Sequence, residues 1–156
     1  MSIANVVLWI HIIAGFAALV LGPIAMRAVK QRGVHTRVGE LYHWVVLLVC
    51  VLASVLALLD WNRIWWFLPI ALGSYAFAFL GYVSAKARWN QWLIWHISGQ
   101  GGSYIALTTA FLVVNWQMLT GASGIHSPLA WTIPTLIGSP IITWINVRIA
   151  LNRSGG

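Results

Sequence analysis

Charged residues are scarce in this sequence, and acidic residues are nearly absent. Of its 156 residues only 7% are charged and 60% are hydrophobic, and Glu40 and Asp60 are the only acidic side chains. A typical soluble domain has about a quarter of its residues charged, so this chain lacks the side chains needed to cover a core with a water-facing surface. The outer surface must itself be apolar, which predicts an integral membrane protein with lipid as its solvent.

Cysteine is limited to Cys50, which excludes an internal disulfide and any Cys-x-x-Cys redox site. The nine lysines and arginines give a net charge of +7, but they form no run long enough to follow a phosphate backbone. No nucleic-acid partner is therefore expected. Residues 1–5 contain no lysine or arginine, so the first apolar segment lacks the charged start of a cleaved signal peptide and is expected to remain as a helix.

Five apolar segments, each close to the ~20 residues that span a bilayer core, predict the fold. We expect one all-α polytopic transmembrane domain over residues 1–156, a helical bundle of about five spans at residues 4–26, 40–60, 64–84, 91–115 and 128–147. Pro134 and Pro140 fall inside the fifth segment and predict a kinked or partly broken helix. Asp60 and Arg63, between the second and third segments, are expected to form a local ion pair or cap.

The positive charges predict the orientation of these helices. Eight of them lie between the first and second segments, between the third and fourth, or after the fifth: Arg27, Lys30, Arg32, Arg37, Lys86, Arg88, Arg148 and Arg153. The positive-inside rule assigns these groups to the cytoplasm, which puts the N-terminus outside and the C-terminus inside, in the inner (cytoplasmic) membrane of a cell. The tryptophans fall near the two predicted boundaries, as expected of rings at headgroup level.

Histidines are the candidate site residues. His11, His43 and His96 lie within apolar spans, whereas His35 lies in the basic inner loop and His126 in the outer loop. His43 and His96 fall one to two turns inside the same predicted boundary, on helices that run in the same direction. Two imidazoles at one depth can ligate a haem iron from both sides. The sequence therefore predicts haem b held by His96, with His43 or His35 opposite it and His11 at a second site, where His126 is a weaker partner.

The same residues also have structural interpretations. A histidine in a membrane often forms a hydrogen bond between helices, and Glu40 suits the first turn of the second helix, where a carboxylate meets the positive end of the dipole. A zinc hydrolase is disfavoured because no acidic residue lies at depth to act as a base. Thr108 and Thr109 are expected to return their hydroxyls to helix carbonyls. Small residues at helical spacing predict close helix packing or room for a flat cofactor: Gly15, Ala18, Gly22, Ser74, Ala78, Gly81, Ala85, Gly99, Ser103, Ala106 and Ala110.

Several motifs extend over most of the chain: His11-x-x-Ala14-Gly15 with Gly22-Pro23, then His35-x-x-x-Gly39-x-x-Tyr42, then His96-x-x-Gly99 and the run of residues 102–111. In these motifs the chain resembles a bacterial family of predicted multi-pass membrane proteins of unknown function. The resemblance implies a multi-pass membrane fold and marks His11, His35 and His96 as the characteristic histidines, with His43 less familiar. It implies no established activity. Glu40 departs from the family's pattern, which has a basic residue at that position.

Two functional hypotheses of different classes follow. The first is a small b-type cytochrome that binds haem b and works in membrane electron transfer, with a chlorophyll-type pigment or no cofactor as open alternatives. The second is a non-catalytic accessory subunit of a larger respiratory or photosynthetic complex, whose apolar faces contact lipid, other membrane subunits or a second copy of the chain. A small transporter or proton pathway ranks last, because little beyond hydroxyl groups connects His11 with the inner histidines. No catalytic residues are assigned, so an enzymatic activity stays open.

Overall fold

The computed structural model describes residues 2–154, apart from the side chains of residues 153 and 154. Of the described residues 86% are helical, and none lies in a strand. In chain order the helices are α1 (Ile3–Arg27), α2 (Val34–Leu59), α3 (Trp61–Ile64), α4 (Phe67–Ala87), α5 (Trp92–Thr120) and α6 (Pro128–Ser154). The expected all-α class is confirmed. Arg153, one of the charges used to orient the chain, has its side chain outside the described residues.

Five of these helices, all except α3, are long and apolar enough to cross a membrane. The shortest of the five has 21 residues and the longest has 29, whereas a helix needs ~20 residues to span the hydrocarbon core. Their outer faces carry large apolar side chains, among them Ile13, Leu72 and Val114, each exposed over 61–68% of its surface. A surface of this kind is compatible with an integral membrane protein, because water would not solvate it.

The start of α2 differs from the predicted span. The helix begins at Val34 rather than at residue 40, so His35 belongs to its first turn and not to a loop. Glu40 consequently lies in the second turn, and its expected position in the first turn is wrong. Basic side chains end the apolar run but not the helix, because lysine and arginine are good helix formers. The connection instead breaks at Gly33, whose φ of +137° is accessible mainly to glycine.

The final helix passes through both of its internal prolines. Residues 128–154 are helical throughout, so the expected partial break at Pro134 and Pro140 is not found. The fixed φ of proline fits a helix, and hydrogen bonds on either side keep the segment helical. Each proline nevertheless lacks an N–H, which leaves the carbonyl four residues earlier, at Ala130 and Leu136, without its helical partner.

The chain divides into two compact units, residues 1–79 and residues 80–156, and the division falls within α4. The first unit contains α1, α2, α3 and the beginning of α4. In α1 the small residues Ala14, Ala18 and Gly22 are buried, which lets α2 approach closely. Ala18 and Gly22 were expected in this contact, whereas Gly15 has open space around it and Ala14 takes its place. The second unit contains the end of α4 with α5 and α6. The single membrane domain inferred from the sequence stays a prediction.

Glycines allow α5 and α6 to pack closely in the second unit. A Cβ atom at Gly101 of α5 would lie 2.6 Å from Cδ1 of Ile142 in α6. A Cβ atom at Gly138 of α6 would lie 2.6 Å from Cδ1 of Ile105 in α5. Each helix thus presents a glycine to an isoleucine of the other. The earlier residue of α5, Gly101, contacts the later residue of α6, Ile142, and the later residue Ile105 contacts the earlier residue Gly138, so the two helices are antiparallel. Such dense contact holds helices together in lipid, where the hydrophobic effect between them is absent.

Two local predictions from the sequence are confirmed. Nε of Arg63 lies 3.1 Å from Oδ2 of Asp60, and this exposed pair closes the turn after α2. The hydroxyls of Thr108 and Thr109 donate to the Ile105 carbonyl over 2.9 and 2.8 Å. Because these hydroxyls are satisfied within their own helix, they add little cost to an apolar environment.

Candidate functional site

Two of the candidate histidines join α1 and α2 in a reciprocal way. Nδ1 of His11 in α1 lies 3.1 Å from the Val49 carbonyl of α2, and Nδ1 of His35 in α2 lies 2.9 Å from the Ala25 carbonyl of α1. A carbonyl only accepts hydrogen bonds, so each ring donates from a protonated Nδ1. Each helix therefore supplies one histidine and one carbonyl. Along α1 the two bonds lie about 21 Å apart at 1.5 Å per residue, so they fix the antiparallel pair at two well-separated levels, one near the connection between the helices and one closer to the middle of the pair.

The bond made by His35 coincides with the end of α1. The last turn of a helix has carbonyls without helical partners, and it carries the negative end of the helix dipole. Nζ of Lys30 donates to the Ala25 carbonyl over 3.1 Å and also to the Met26 carbonyl. Desolvation at this position lowers the pKa of the Lys30 ammonium below its usual value. Lys30 and His35 together cap α1, which gives both residues a structural role.

His43 is the most deeply buried of the candidates. Only 2% of its surface is exposed, and its ring bonds to the backbone of Ala78 in α4. The ring also lies 5.7 Å from the ring of Tyr75, measured between centroids, and 5.3 Å from that of Trp44. These contacts place His43 between α2 and the first part of α4, where a polar ring needs a hydrogen-bond partner to be tolerated.

His96 occupies the equivalent position between α4 and α5 in the second unit. Its Nδ1 lies 2.8 Å from the oxygen of the Gly81 carbonyl. The same carbonyl accepts a hydrogen bond from the Ser84 hydroxyl over 3.0 Å. A Cβ atom at Gly81 would lie 2.6 Å from the backbone nitrogen of Gln100, so only glycine permits this approach. The Ser103 hydroxyl donates to the Gln100 carbonyl over 2.8 Å. A set of polar groups thus follows the α4–α5 contact.

Gln100 was missed by reasoning from the sequence. It lies one turn after His96 in a helix that contains no Asp, Glu, Lys or Arg, and its side chain packs against Gly81. The signal was available, because an amide four residues from a histidine falls on the same helix face. Gln100 is half-buried, and an amide is costly in lipid unless it is hydrogen-bonded, so Gln100 forms part of the same polar contact as His96.

His11, His35 and His96 fit one requirement of a haem ligand and leave another unmet, whereas the buried Nδ1 of His43 makes no hydrogen bond within the described residues and its bond to Ala78 uses Nε2. Donation from Nδ1 to a carbonyl puts the lone pair on Nε2, which is the tautomer that metal-ligating histidines use. The small-residue positions at Gly81, Gly101 and Gly138, however, are filled by side chains or backbone of the facing helix. These contacts within the second unit therefore contain no slot for a flat ring. Among the described residues no group of three or more His, Cys, Asp or Glu side chains could hold a metal ion.

The two units separate the histidines that were expected to act in pairs. His11, His35 and His43 belong to the first unit, whereas His96 belongs to the second. Ligation of a haem iron by His96 with His43 or His35 therefore stays a prediction. His126 is exposed in the segment between α5 and α6, and its pairing with His11 likewise stays a prediction.

A second polar feature lies on α6. Thr135, Ser139 and Thr143 are spaced four residues apart, so they follow one another along one face of the helix, and all three side chains are exposed. Within the described part of the chain, none of their hydroxyls makes a hydrogen bond. Asn146 continues this face: its Nδ2 donates to the Ser98 hydroxyl over 2.8 Å, and its buried Oδ1 accepts no hydrogen bond. We call these four residues the α6 polar face.

No protein-family model, no curated protein and no solved structure matches the chain. The resemblance to a bacterial family of membrane proteins therefore stays a prediction.

Removing the reciprocal histidine bonds is expected to destabilise the α1–α2 pair additively. His11→Leu and His35→Leu should each lower the free energy of unfolding by ~0.6 kcal/mol, and by at most ~1.7 kcal/mol. Because the two bonds lie far apart, the double variant should lose the sum to within ~0.5 kcal/mol. Unfolding of the detergent-solubilised protein measures these changes, with His126→Leu as a control expected to change stability by less than ~0.5 kcal/mol. Unchanged stability in both single variants would show that the bonds hold no helices together.

Proposed function

We propose that this chain is a non-catalytic accessory subunit that binds another membrane protein through the α6 polar face. The observation that carries the proposal is the set of hydroxyls on Thr135, Ser139 and Thr143 that make no hydrogen bond on an exposed helix surface. Hydroxyls elsewhere in the chain, such as those of Ser54, Ser74 and Thr109, donate hydrogen bonds to carbonyls of their own helix. The α6 polar face therefore differs from the other polar positions.

Lipid cannot satisfy these groups. A polar group left without a partner in hydrocarbon costs a few kcal/mol, and α6 adds the Leu136 carbonyl, released by Pro140, and the Oδ1 atom of Asn146. In the most apolar stretch of α6 no residue is buried. A second transmembrane helix placed on this face would supply partners, and small residues at four-residue spacing let its backbone approach closely.

The accessory role assigns this face to a helix of a different protein. The Leu136 carbonyl and Asn146 Oδ1 only accept hydrogen bonds, and Ser, Thr, Asn or Gln side chains of the partner would donate to them. The hydroxyls of Thr135, Ser139 and Thr143 can donate as well as accept.

The proposal is tested by co-purification of an affinity-tagged chain from its native membrane. Ser139→Leu fills the centre of the α6 polar face and should reduce recovery of the partner about tenfold or more, because the helices can no longer approach. Ile137→Phe adds bulk on the opposite face of α6 and should leave recovery unchanged. A wild-type chain that purifies alone as a monomer contradicts the proposal, and a homodimer broken by Ser139→Leu assigns the face to a second copy instead.

We infer that the chain lies in a bacterial inner membrane with its N-terminus outside the cytoplasm. The positive-inside rule supports this, since Arg27, Lys30, Arg32 and Arg37 flank the α1–α2 connection. Gln31→Cys and Ser123→Cys test the orientation with a membrane-impermeant thiol reagent, because native Cys50 is buried. Intact cells should label position 123 and not position 31. The reverse pattern would invert the orientation.

A b-type haem protein is a second candidate, favoured by the geometry of His96. Its Nδ1 bond to the Gly81 carbonyl orients the ring and puts the lone pair on Nε2, as in histidines that ligate metals. Haem would supply one-electron transfer, and this chain's part would be to fix the orientation of the ligand ring.

An absorption spectrum of the purified protein, before and after dithionite, tests this candidate. A stoichiometric reduced α-band that disappears in His96→Ala and persists in the exposed-loop control His126→Ala is the expected result for a cytochrome. Chlorophyll-like bands would assign a pigment instead of haem. A colourless protein from cells able to supply haem would eliminate the cytochrome and leave the accessory subunit.

A further inference from the structure

An apolar groove runs between α1 and α2 in the half of the pair that is nearer the basic connection. It has a volume of about 550 Å³ and is lined by Phe16, Ala17, Val20, Leu21, Leu41 and Val45. The lining residues lie within six consecutive residues of α1 and five of α2, which corresponds to a rise of about 6–8 Å along each helix at 1.5 Å per residue. A groove this short gives little packing surface to a helix of ~20 residues that crosses the membrane, whereas a stretch of one acyl chain can lie in it.

The two helix faces that line the groove continue to arginines at its basic end. Arg27 follows Val20 by seven residues on α1, and Arg37 precedes Leu41 by four residues on α2; both spacings keep residues on one helix face. Both arginines are exposed, and within the described residues neither guanidinium group makes an ion pair or a hydrogen bond. Nearby Lys30, by contrast, is held by the carbonyls that end α1.

The charge at this end of the pair is strongly positive. Four basic side chains lie in this part of the sequence, those of Arg27, Lys30, Arg32 and Arg37. The same part contains one carboxylate, that of Glu40 in the second turn of α2. From Val20 to Arg27 the rise along the helix is about 10 Å. A ligand that matches this surface therefore needs an apolar chain and, about 10 Å from it, a negative group.

We propose that the α1–α2 pair binds an anionic phospholipid. A stretch of one acyl chain lies in the groove, and the headgroup phosphate is held by Arg27 and Arg37. Guanidinium groups bind phosphate through two parallel hydrogen bonds, and basic pockets between membrane helices are suited to anionic headgroups. The site is independent of the α6 polar face, since it lies wholly in the first unit.

Native mass spectrometry of the full chain in detergent tests the proposal. Phosphatidylglycerol and phosphatidylcholine with identical acyl chains are titrated against the wild type, the double variant Arg27→Gln/Arg37→Gln, and Ala17→Leu, which fills the groove. The wild type should bind one phosphatidylglycerol at least about tenfold more tightly than phosphatidylcholine. The arginine variant should lose this preference, and Ala17→Leu should weaken phosphatidylglycerol binding to a similar extent.

Matched controls separate a built site from general attraction to lipid. Ala76→Leu makes the same change at an exposed position of α4 and should bind as the wild type does, and circular dichroism should show that every variant retains its helices. Equal weakening by Ala76→Leu, or unchanged binding in Ala17→Leu, would overturn the proposal. Displacement of the lipid by millimolar inorganic phosphate would also overturn it, because the site would then recognise phosphate without an acyl chain.

Discussion

Hydrogen bonds from histidine rings to backbone carbonyls of a neighbouring helix are the interaction on which the rest of this structure depends. Between helices in lipid there is no hydrophobic driving force, so close packing and directional polar contacts have to replace it. His11 and His35 meet this need at two separate levels of the α1–α2 pair, His43 meets it between α2 and α4, and His96 meets it between α4 and α5. Each ring also satisfies its own N–H, which would be costly in hydrocarbon.

The same bonds determine what is left available at the surface of the first unit. The side chains of Lys30 and His35 both form hydrogen bonds with carbonyls at the end of α1. These bonds fix the turn between α1 and α2, and they keep the two side chains from extending into the surroundings. Arg27 and Arg37 are not used in this way. Their charge is therefore available for an anionic partner, and the neighbouring groove supplies the apolar part of the same ligand surface.

The hydroxyl side chains of α5 and α6 differ in whether they form hydrogen bonds within their own helix. In α5, Thr108 and Thr109 return their hydroxyls to their own helix, so that face needs nothing further from its surroundings. In α6, Thr135, Ser139 and Thr143 do not, and proline removes helical partners from two carbonyls. An unsatisfied polar surface on a helix of this apolar length is better explained by a protein partner than by lipid. This difference, rather than the histidines, gives the main support for an accessory role.

The sequence by itself determined the helical class and the five membrane-length helices, because apolar runs of about 20 residues in a chain with so little charge have few other solutions. It also marked the histidines, since polar rings within apolar segments are conspicuous. Only the tertiary structure decided which carbonyl each ring contacts, that α2 begins at Val34, and that Gln100 lies against Gly81. These depend on the register of paired helices, which is fixed where glycines such as Gly101 and Gly138 receive isoleucines of the facing helix. Periodicity shows which residues share a helix face, but it does not specify which residues of another helix they meet.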